Sequence, residues 1–538
     1  MIIQWFKNNS LIVVILLLAF GLRLPLLDGS FWLDEAAQAL ESSRPFSQQL
    51  LIRADFQPPL IHYITHFALY LGKSEWWLRL FGALIPGLVT IFASYKVGER
   101  LFNKKIGLIS SLLLATSSFH IFYSQELRPY SLPAMFALLS WWVLVSLTNQ
   151  ADKNLENISL KNNHNNSFEI KKLNLRIDKR WFLLALLNAL GLYSSYLYPF
   201  LLISQIVFIF VQHREYIQQI IFSLLLSSLA FFPWLPSFLG QLQEGGSVRE
   251  QLPGWDKVVS ITQTKAIGLT FGKFIYGVLN IDFTLVFTFT TLIMGSLVLI
   301  IYKDVDKKGA VDYLRSLFIK TKLKKETQQH LRSLITLLIA FFVPLVTAWL
   351  ISFWVPVLRP KRVLYLLPFF YILFSSSFVF AKKQLFANLV IGLLLLVNFY
   401  STTSYFFNQN LQRENWRDLY SEVTRLYPKE NSIVIFSHPA AFSPWRWYDN
   451  QDYPQLSTGT LHVDQIANMK EMFKQINDYQ YVLAFDYLRT LSDPQDKIIN
   501  EVTSYGYEQI DIINYPNIGF VRVFARKDSV LSYHSRQF

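Results

Sequence analysis

The sequence predicts a mainly α-helical, polytopic membrane protein with a small α/β domain at its C-terminal end. Three observations predict it: the composition, a ladder of long apolar stretches, and a fall in hydropathy after residue 401. Of 538 residues, 52% are hydrophobic and only 16% are charged, where a soluble domain carries about a quarter charged. The net charge of +13 resides in short Lys/Arg runs between apolar stretches, where it acts as topology signal and headgroup contact. No nucleic-acid motif accompanies it, so no nucleic-acid partner is expected. The chain has no cysteine, which excludes disulfides and thiolate metal sites but leaves the compartment open.

About 11 stretches approach the length of a spanning helix. They lie near 10–27, 77–96, 106–122, 130–148, 181–197, 198–212, 217–234, 276–302, 333–353, 363–380 and 384–401. The first reads as a retained span, because Leu11–Phe20 runs into Gly-Leu-Arg-Leu-Pro without a small-residue cleavage pattern. Basic clusters stand between spans two and three (Lys96, Arg100, Lys104, Lys105) and before span five (Lys171, Lys172, Arg176, Lys179, Arg180). Two more precede span nine (Lys303 to Lys325) and span eleven (Lys382, Lys383). All four fall on one side if the N-terminus is cytoplasmic. That parity places the loop 28–75, the segment 123–130, the loop 235–275 and the C-terminal tail outside.

The first outer loop alternates acidic and apolar residues, as amphipathic helices on a membrane surface do. Asn154–Asn166 is Asn-rich and polar, the composition of a disordered cytoplasmic loop. The membrane region is assigned to 1–401 and the outer α/β domain to 402–538. In the latter, Ser432–Ser437, Tyr481–Phe485, Gln509–Ile513 and Gly519–Phe524 read as strands, with helical patterns near 414–427 and 461–477. No internal repeat is visible.

The chemistry concentrates outside. Asp34 and Glu35 follow the first span directly; the bland reading of Asp34 is a helix N-cap before Ala-Ala-Gln-Ala-Leu. Arg23 lies at the end of that span, a functional candidate unless it snorkels. Asp55 and Gln57 precede Pro58-Pro59, which is expected to stop a helix at Gln57 and hold Asp55 in place. His62 and His66 have the i, i+4 spacing of metal ligands but lack the accompanying Glu of a zinc-protease motif, so packing or hydrogen bonding is expected. In Tyr123–Tyr130, Glu126 and Arg128 are free to pair with each other. Arg359, Lys361 and Arg362 put three cations in one outer loop, against the positive-inside bias, and an anionic lipid phosphate is their natural ligand. Asp304-Val-Asp306 has a metal–nucleotide-sugar spacing but falls in a lysine-rich cytoplasmic loop, and is read as loop charge.

Assembled in order, these residues resemble the GT-C class of membrane glycosyltransferases, family 39-like, which includes protein O-mannosyltransferases and lipid A aminoarabinose transferases. The resemblance lies in Phe-Trp-Leu-Asp-Glu-Ala at 31–36, Asp-Phe-Gln-Pro-Pro-Leu at 55–60 and Ser-Glu-Trp-Trp-Leu-Arg-Leu at 74–80. Tyr-Ser-Gln-Glu-Leu-Arg-Pro-Tyr at 123–130 and Arg-Pro-Lys-Arg-Val-Leu-Tyr at 359–365 extend it. It departs at Gln57, where many members carry His or Lys before the proline pair. The resemblance implies Asp34 as general base, Glu35 as its support and Asp55 as the second acid of the site. Arg128, Arg359 and Arg362 would grip the donor phosphate, with Lys361 the weaker candidate and Arg23, Gln57 and Glu126 as further substrate-binding residues.

A transferase facing outward needs a membrane-carried donor, since nucleotide sugars are confined to the cytoplasm. A polyprenyl phosphate is a good leaving group that requires charge neutralisation more than protonation. One carboxylate base then suffices, which predicts inverting single displacement from a polyprenyl-phosphate sugar to a hydroxyl on protein, lipid or polysaccharide. Arg23 or a bound divalent metal would tune Asp34, although no local ligand pattern specifies the metal. The rival class is a flippase or transporter for lipid-linked sugars, which outer cations and an intramembrane Arg also suit.

Overall fold

The computed structural model describes residues 9–49, 51–52, 55–162, 178–251, 261–280, 325–437 and 443–527, with isolated positions between 288 and 299. The eighth expected span beyond residue 280 lies largely outside the described residues, and Asp304 and Asp306 wholly so. The membrane region begins with α1 (Ser10–Gly21), α2 (Leu33–Ser42), α3 (Leu60–Leu69), α4 (Glu75–Leu101) and α5 (Lys104–Thr116). It continues through α6 (Ser131–Asn162), α7 (Lys179–Leu192), α8 (Tyr198–Gln212), α9 (Arg214–Ser247) and α10 (Gln263–Tyr276). After these come α11 (Lys325–Ile351), α12 (Pro360–Phe380) and α13 (Gln384–Phe407).

Among the described residues, six helices are long and apolar enough to cross a membrane: α4, Ser131–Thr148 of α6, α9, Gln329–Ile351 of α11, α12 and α13. The chain is an integral membrane protein. Hydropathy counts about 11 stretches because it registers apolar residues whether or not their backbone is one straight helix. The expected span 106–122 breaks at Ser117, whose extended backbone separates α5 from a short helix at Ser118–Tyr123. The first stops at Gly21, and the chain turns through Leu22–Asp28. Helix α6 instead overruns its expected end and takes in the first part of the Asn-rich segment.

Burial sorts the helices. Within the apolar windows of α6 and α12, 72% of residues are buried inside the bundle, against 28% for α9; α6 and α12 are therefore central and α9 peripheral. Helices α4 and α5 approach backbone to backbone, since a Cβ on Gly107 would overlap the Tyr95 carbonyl oxygen. Small residues permit such close crossings in apolar surroundings. One π-helical turn, Leu80–Leu84, interrupts α4 directly after Arg79. Within it Gly82 leaves room for Ile61, since a Cβ there would stand 2.5 Å from the Ile61 Cδ1. That contact seats α3 against α4.

Beyond α13 the chain forms α14 (Trp416–Leu426) and a five-stranded sheet: β1 (Ser432–Phe436), β2 (Gln455–Ser457), β3 (Tyr481–Phe485), β4 (Tyr507–Tyr515) and β5 (Gly519–Arg526). The strand order is β2-β1-β3-β5-β4. Strand β1 pairs in parallel with β2 and β3, with Ser432 opposite Tyr481, and β5 runs antiparallel to β3 and β4. All five residues of β1 are buried, because apolar side chains cover both faces of the sheet. Val434 and Phe436 meet Trp416 and Trp445 on one face, while Ile433 and Ile435 meet Phe473 and Val502 on the other. This is why β1 reads as a continuous apolar run. The helical pattern at 461–477 is divided into short turns, because the Asn468 side chain caps a fresh helix by accepting from the Glu471 amide at 3.2 Å.

A candidate active site where the loop after the first helix meets three other segments

Helix α2 starts at Leu33 after an extended Trp32, with no side-chain cap. Asp34 and Glu35 occupy its first turn, where carboxylates oppose the positive end of the helix dipole. The N-cap expected of Asp34 is therefore replaced by a place one turn-position inside the helix. Neighbouring residues on a helix point about 100° apart, so the pair divides: Glu35 turns into the core and Asp34 stays partly open.

Glu35 is fully buried and saturated. Arg79 donates to it from Nε at 2.8 Å and from an Nη at 2.6 Å, and the Leu127 amide donates at 2.6 Å. The same guanidinium donates to the carbonyls of Leu27 (2.7 Å), Gly29 (2.5 Å) and Ser30 (3.2 Å), so all five of its N–H groups are used. Arg413, just past α13, lies 3.9 Å from Glu35 and 3.3 Å from Glu126. It also sits over the Phe122 ring at 4.0 Å. Burial pushes the Glu126 carboxyl upward against the pull of Arg413.

Asp34 is different: among the described residues, no hydrogen bond or ion pair engages its carboxylate. Its backbone carbonyl is approached by Arg128 at 3.4 Å. Its charge is felt by Lys361 and Arg128. Lys361 sits over the rings of Trp32 (5.7 Å) and Tyr130 (5.4 Å) and has no carboxylate within ion-pair distance among the described residues. Arg359 is the extended residue before Pro360, the conformation a following proline imposes. Arg362 points the other way, donating to the carbonyls of Pro356 (3.2 Å) and Val357 (3.4 Å).

Asp55 sits beside this pair in a cage of its own. Arg128 donates to both its oxygens, at 3.0 and 3.1 Å, in a bidentate pair. His62 approaches at 3.2 Å and the Gln57 amide donates at 2.6 Å. Burial works to raise the Asp55 carboxyl, but Arg128 and His62 outweigh it and hold it far below the usual carboxylate range. Gln57 also bonds Gln38, and Gln38 Nε2 lies 2.7 Å from His62 Nδ1. An amide at position 57 thus serves as a linker, donating to Asp55 and to Gln38 where a cation would compete with Arg128. The prolines act differently from expectation: Pro59 opens α3 rather than ending a helix at Gln57. His62 and His66 face separate partners, Asp55 for the first and the Ser42 carbonyl at 2.8 Å for the second.

Arg23 is not brought into this group. It is fully buried, donating to the carbonyls of Ala19 (2.8 Å) and Ala115 (3.1 Å) with His120 at 2.7 Å. Glu126 and Arg128 take Arg413 and Asp55 as partners and not each other. Among the described residues no three His, Asp or Glu side chains converge as metal ligands, so no step below is routed through a metal.

Four contributors carry no role on sequence grounds: Arg79, Arg413, Glu414 and Tyr448. Arg79 lies within the motif at 74–80, and that membership is the one signal that points to it. The Glu414 carboxylate accepts from Tyr487 at 2.7 Å, Trp416 at 2.7 Å and the Leu33 amide at 3.4 Å. Burial pushes it up to about 7. Tyr448 accepts from the Phe31 amide at 2.7 Å. These last three come from the C-terminal region and hold the loop that carries Asp34.

Residues 56–156 match the family of dolichyl-phosphate-mannose-protein mannosyltransferases. The match covers about a fifth of the chain and joins three of the motifs that resemble the GT-C class into one contiguous stretch. The matched stretch runs from just before α3 into α6 and contains Gln57, Arg79, Glu126 and Arg128. The fold is similar to that of ArnT from Cupriavidus metallidurans in the apo state, at 11% identity, 97% coverage of this chain, 98% of that one and a TM-score of 0.52. ArnT bound to undecaprenyl phosphate aligns over the same shares at 10% identity and a TM-score of 0.52. The oligosaccharyltransferase AglB from Archaeoglobus fulgidus aligns at 12% identity, over 96% of this chain and 74% of that one, with a TM-score of 0.48. No curated protein matches the chain by sequence.

Proposed function

We propose that this protein transfers a sugar from a polyprenyl-phosphate donor to an acceptor hydroxyl at the outer face of the membrane. The observation that carries the reading is that, among the described residues, the Asp34 carboxylate is unengaged and Lys361, which feels its charge, has no carboxylate within ion-pair distance. In this reading Asp34 removes the acceptor proton as the acceptor oxygen attacks the anomeric carbon. The bond from that carbon to the phosphate oxygen breaks on the opposite face, inverting the centre. The departing phosphate keeps the bonding electrons, and Lys361 with Arg359 neutralises its charge.

In this reading some roles shift from those the resemblance implies. Lys361 moves ahead of Arg128 as phosphate ligand, because Arg128 is engaged in a bidentate pair with Asp55. Asp55, Arg128, Gln57 and His62 form a unit that fixes the wall beside Asp34, and Glu35 with Arg79 fixes the helix that bears it. Undecaprenyl phosphate, the molecule bound to the ArnT of similar fold, supports a polyprenyl phosphate as the leaving group. The orientation proposed is a cytoplasmic N-terminus with the site and residues 402–538 outside, supported by the charge parity of the loops.

The test supplies purified protein with radiolabelled polyprenyl-phosphate sugar and measures release of polyprenyl phosphate and label on acceptor hydroxyls. Asp34→Asn is expected to lower turnover by about 10²–10⁴-fold. Full activity in that variant would refute the assignment of the base, and lipid movement without sugar transfer would establish the flippase instead. Because the chain has no cysteine, single cysteines introduced at 73 and 104 report the orientation directly through labelling by an impermeant reagent.

A further inference from the structure

A cavity of about 690 Å³ opens between the first outer loop and the C-terminal domain. Its walls include Ser42 at the end of α2, His66 and Tyr70 on the α3 side, Lys73, and Arg446 and Trp447 from a short helix at Ser443–Tyr448. Ser42 lies eight residues beyond Asp34, about 12 Å along α2 at 1.5 Å per residue. The cavity is therefore separate from the Lys361 cluster, and it has no part in the transfer step proposed above.

Its charges do not balance. Two carboxylates line it, and both are engaged elsewhere. Glu75 takes Arg417 at 3.2 Å and the Tyr448 hydroxyl at 2.9 Å. Asp449 accepts from the Tyr420 hydroxyl at 3.1 Å and from the Gln451 and Tyr453 amides at 3.2 and 3.1 Å. Lys73 and Arg446 have no such partner among the described residues, and both are exposed at the cavity. Two unpaired cations flanking one concavity favour an anion, and an Arg with a Lys suits the several oxygens of a phosphate.

The surroundings specify what the anion is attached to. Tyr70 is 74% exposed while lining the cavity, and next to it Leu71 is 76% and Phe67 59% exposed. So much contiguous apolar and aromatic surface marks a contact with lipid or another apolar partner, and Tyr with Lys is the interfacial pairing of membrane proteins. We propose that this cavity is a second binding site, taking the phosphate of an anionic amphiphile between Lys73 and Arg446 with its chains along Phe67, Tyr70 and Leu71. The site has a route to the catalytic loop, because Glu75 on its wall holds Tyr448, and Tyr448 holds the Phe31 amide at 2.7 Å.

The test measures binding of phosphatidylglycerol, phosphatidylcholine and glycerol 3-phosphate to the full chain in detergent by native mass spectrometry. Phosphatidylglycerol is expected to bind about tenfold tighter than phosphatidylcholine, the effect of one charge-assisted contact. The preference should vanish in Lys73→Gln/Arg446→Gln and persist in Lys361→Gln, which separates this site from the donor cluster. Both substituted side chains are exposed, so the double variant is expected to melt like the parent. Equal binding of the two lipids, or a preference that survives the double substitution, overturns the proposal. Competition by glycerol 3-phosphate as strong as by the lipid supports the anion site and assigns it to a free phosphate, whereas weak competition assigns it to the lipid.

Discussion

Adjacent carboxylates should fail in opposite ways. Glu35 accepts three charge-assisted or backbone hydrogen bonds in a fully buried setting, and Arg79 has no spare donor with which to compensate. Glu35→Ala leaves that guanidinium buried beside an empty space and orphans the Leu127 amide. Breaking one side of a buried pair costs about 3–5 kcal/mol, and an unsatisfied buried amide adds about 1–3 kcal/mol more. Arg413 at 3.9 Å loses a counter-charge as well, although Glu126 remains to it. Asp34→Asn breaks no hydrogen bond or ion pair of the described residues, so its stability cost is expected within about 0.5 kcal/mol, like other substitutions away from such features. The assay is thermal unfolding in detergent, run beside single-turnover transfer. Glu35→Ala is expected to lower the midpoint by several degrees, while Asp34→Asn melts like the parent and loses turnover. Equal melting of both variants, or a larger loss of stability in Asp34→Asn, would refute the division of roles.

Three further outcomes follow from the same geometry. Asp55→Asn leaves Arg128 with an uncharged partner and His62 with a weaker one; turnover is expected to fall more than tenfold, and the fall should be smaller in Gln57→Asn or Gln57→Ala. The Glu414 carboxyl is held near 7 against an unfolded value near 4.5, so folding favours its protonated form. Its contribution, up to about 3 kcal/mol, is fully present below pH 4.5 and disappears as pH rises through 7. Melting curves of Glu414→Gln should therefore lose the fall in midpoint that the parent shows over that window. Gly107→Ala drives a methyl into the Tyr95 carbonyl oxygen, and prising α4 from α5 is expected to cost about 1–3 kcal/mol in the same melting assay.

Sequence alone determined the membrane as the solvent and the order of the motifs. Long apolar stretches with few charges read as membrane helices, because a soluble core rarely needs runs of that length. Strands β1 and β3 were also legible, because strands covered on both faces are written in runs of apolar residues, and β4 and β5 were legible from their β-branched and aromatic residues. Strand β2 was not, since its three residues at an edge carry no period. The tertiary structure decided the partners. Whether Asp34 or Glu35 faces inward depends on where α2 begins, and that register is set by contacts from Glu414 and Tyr448, which lie 381 and 417 residues downstream of the amides they hold. The same holds for Arg128 and Lys361: both are cations in short segments between apolar stretches, indistinguishable in composition. Only folding shows that one is matched to Asp55 while the other lies over two aromatic rings. Charge is a property of the residue, but whether a charge is already neutralised is a property of its neighbours, and those neighbours are brought in from four separate segments of the chain.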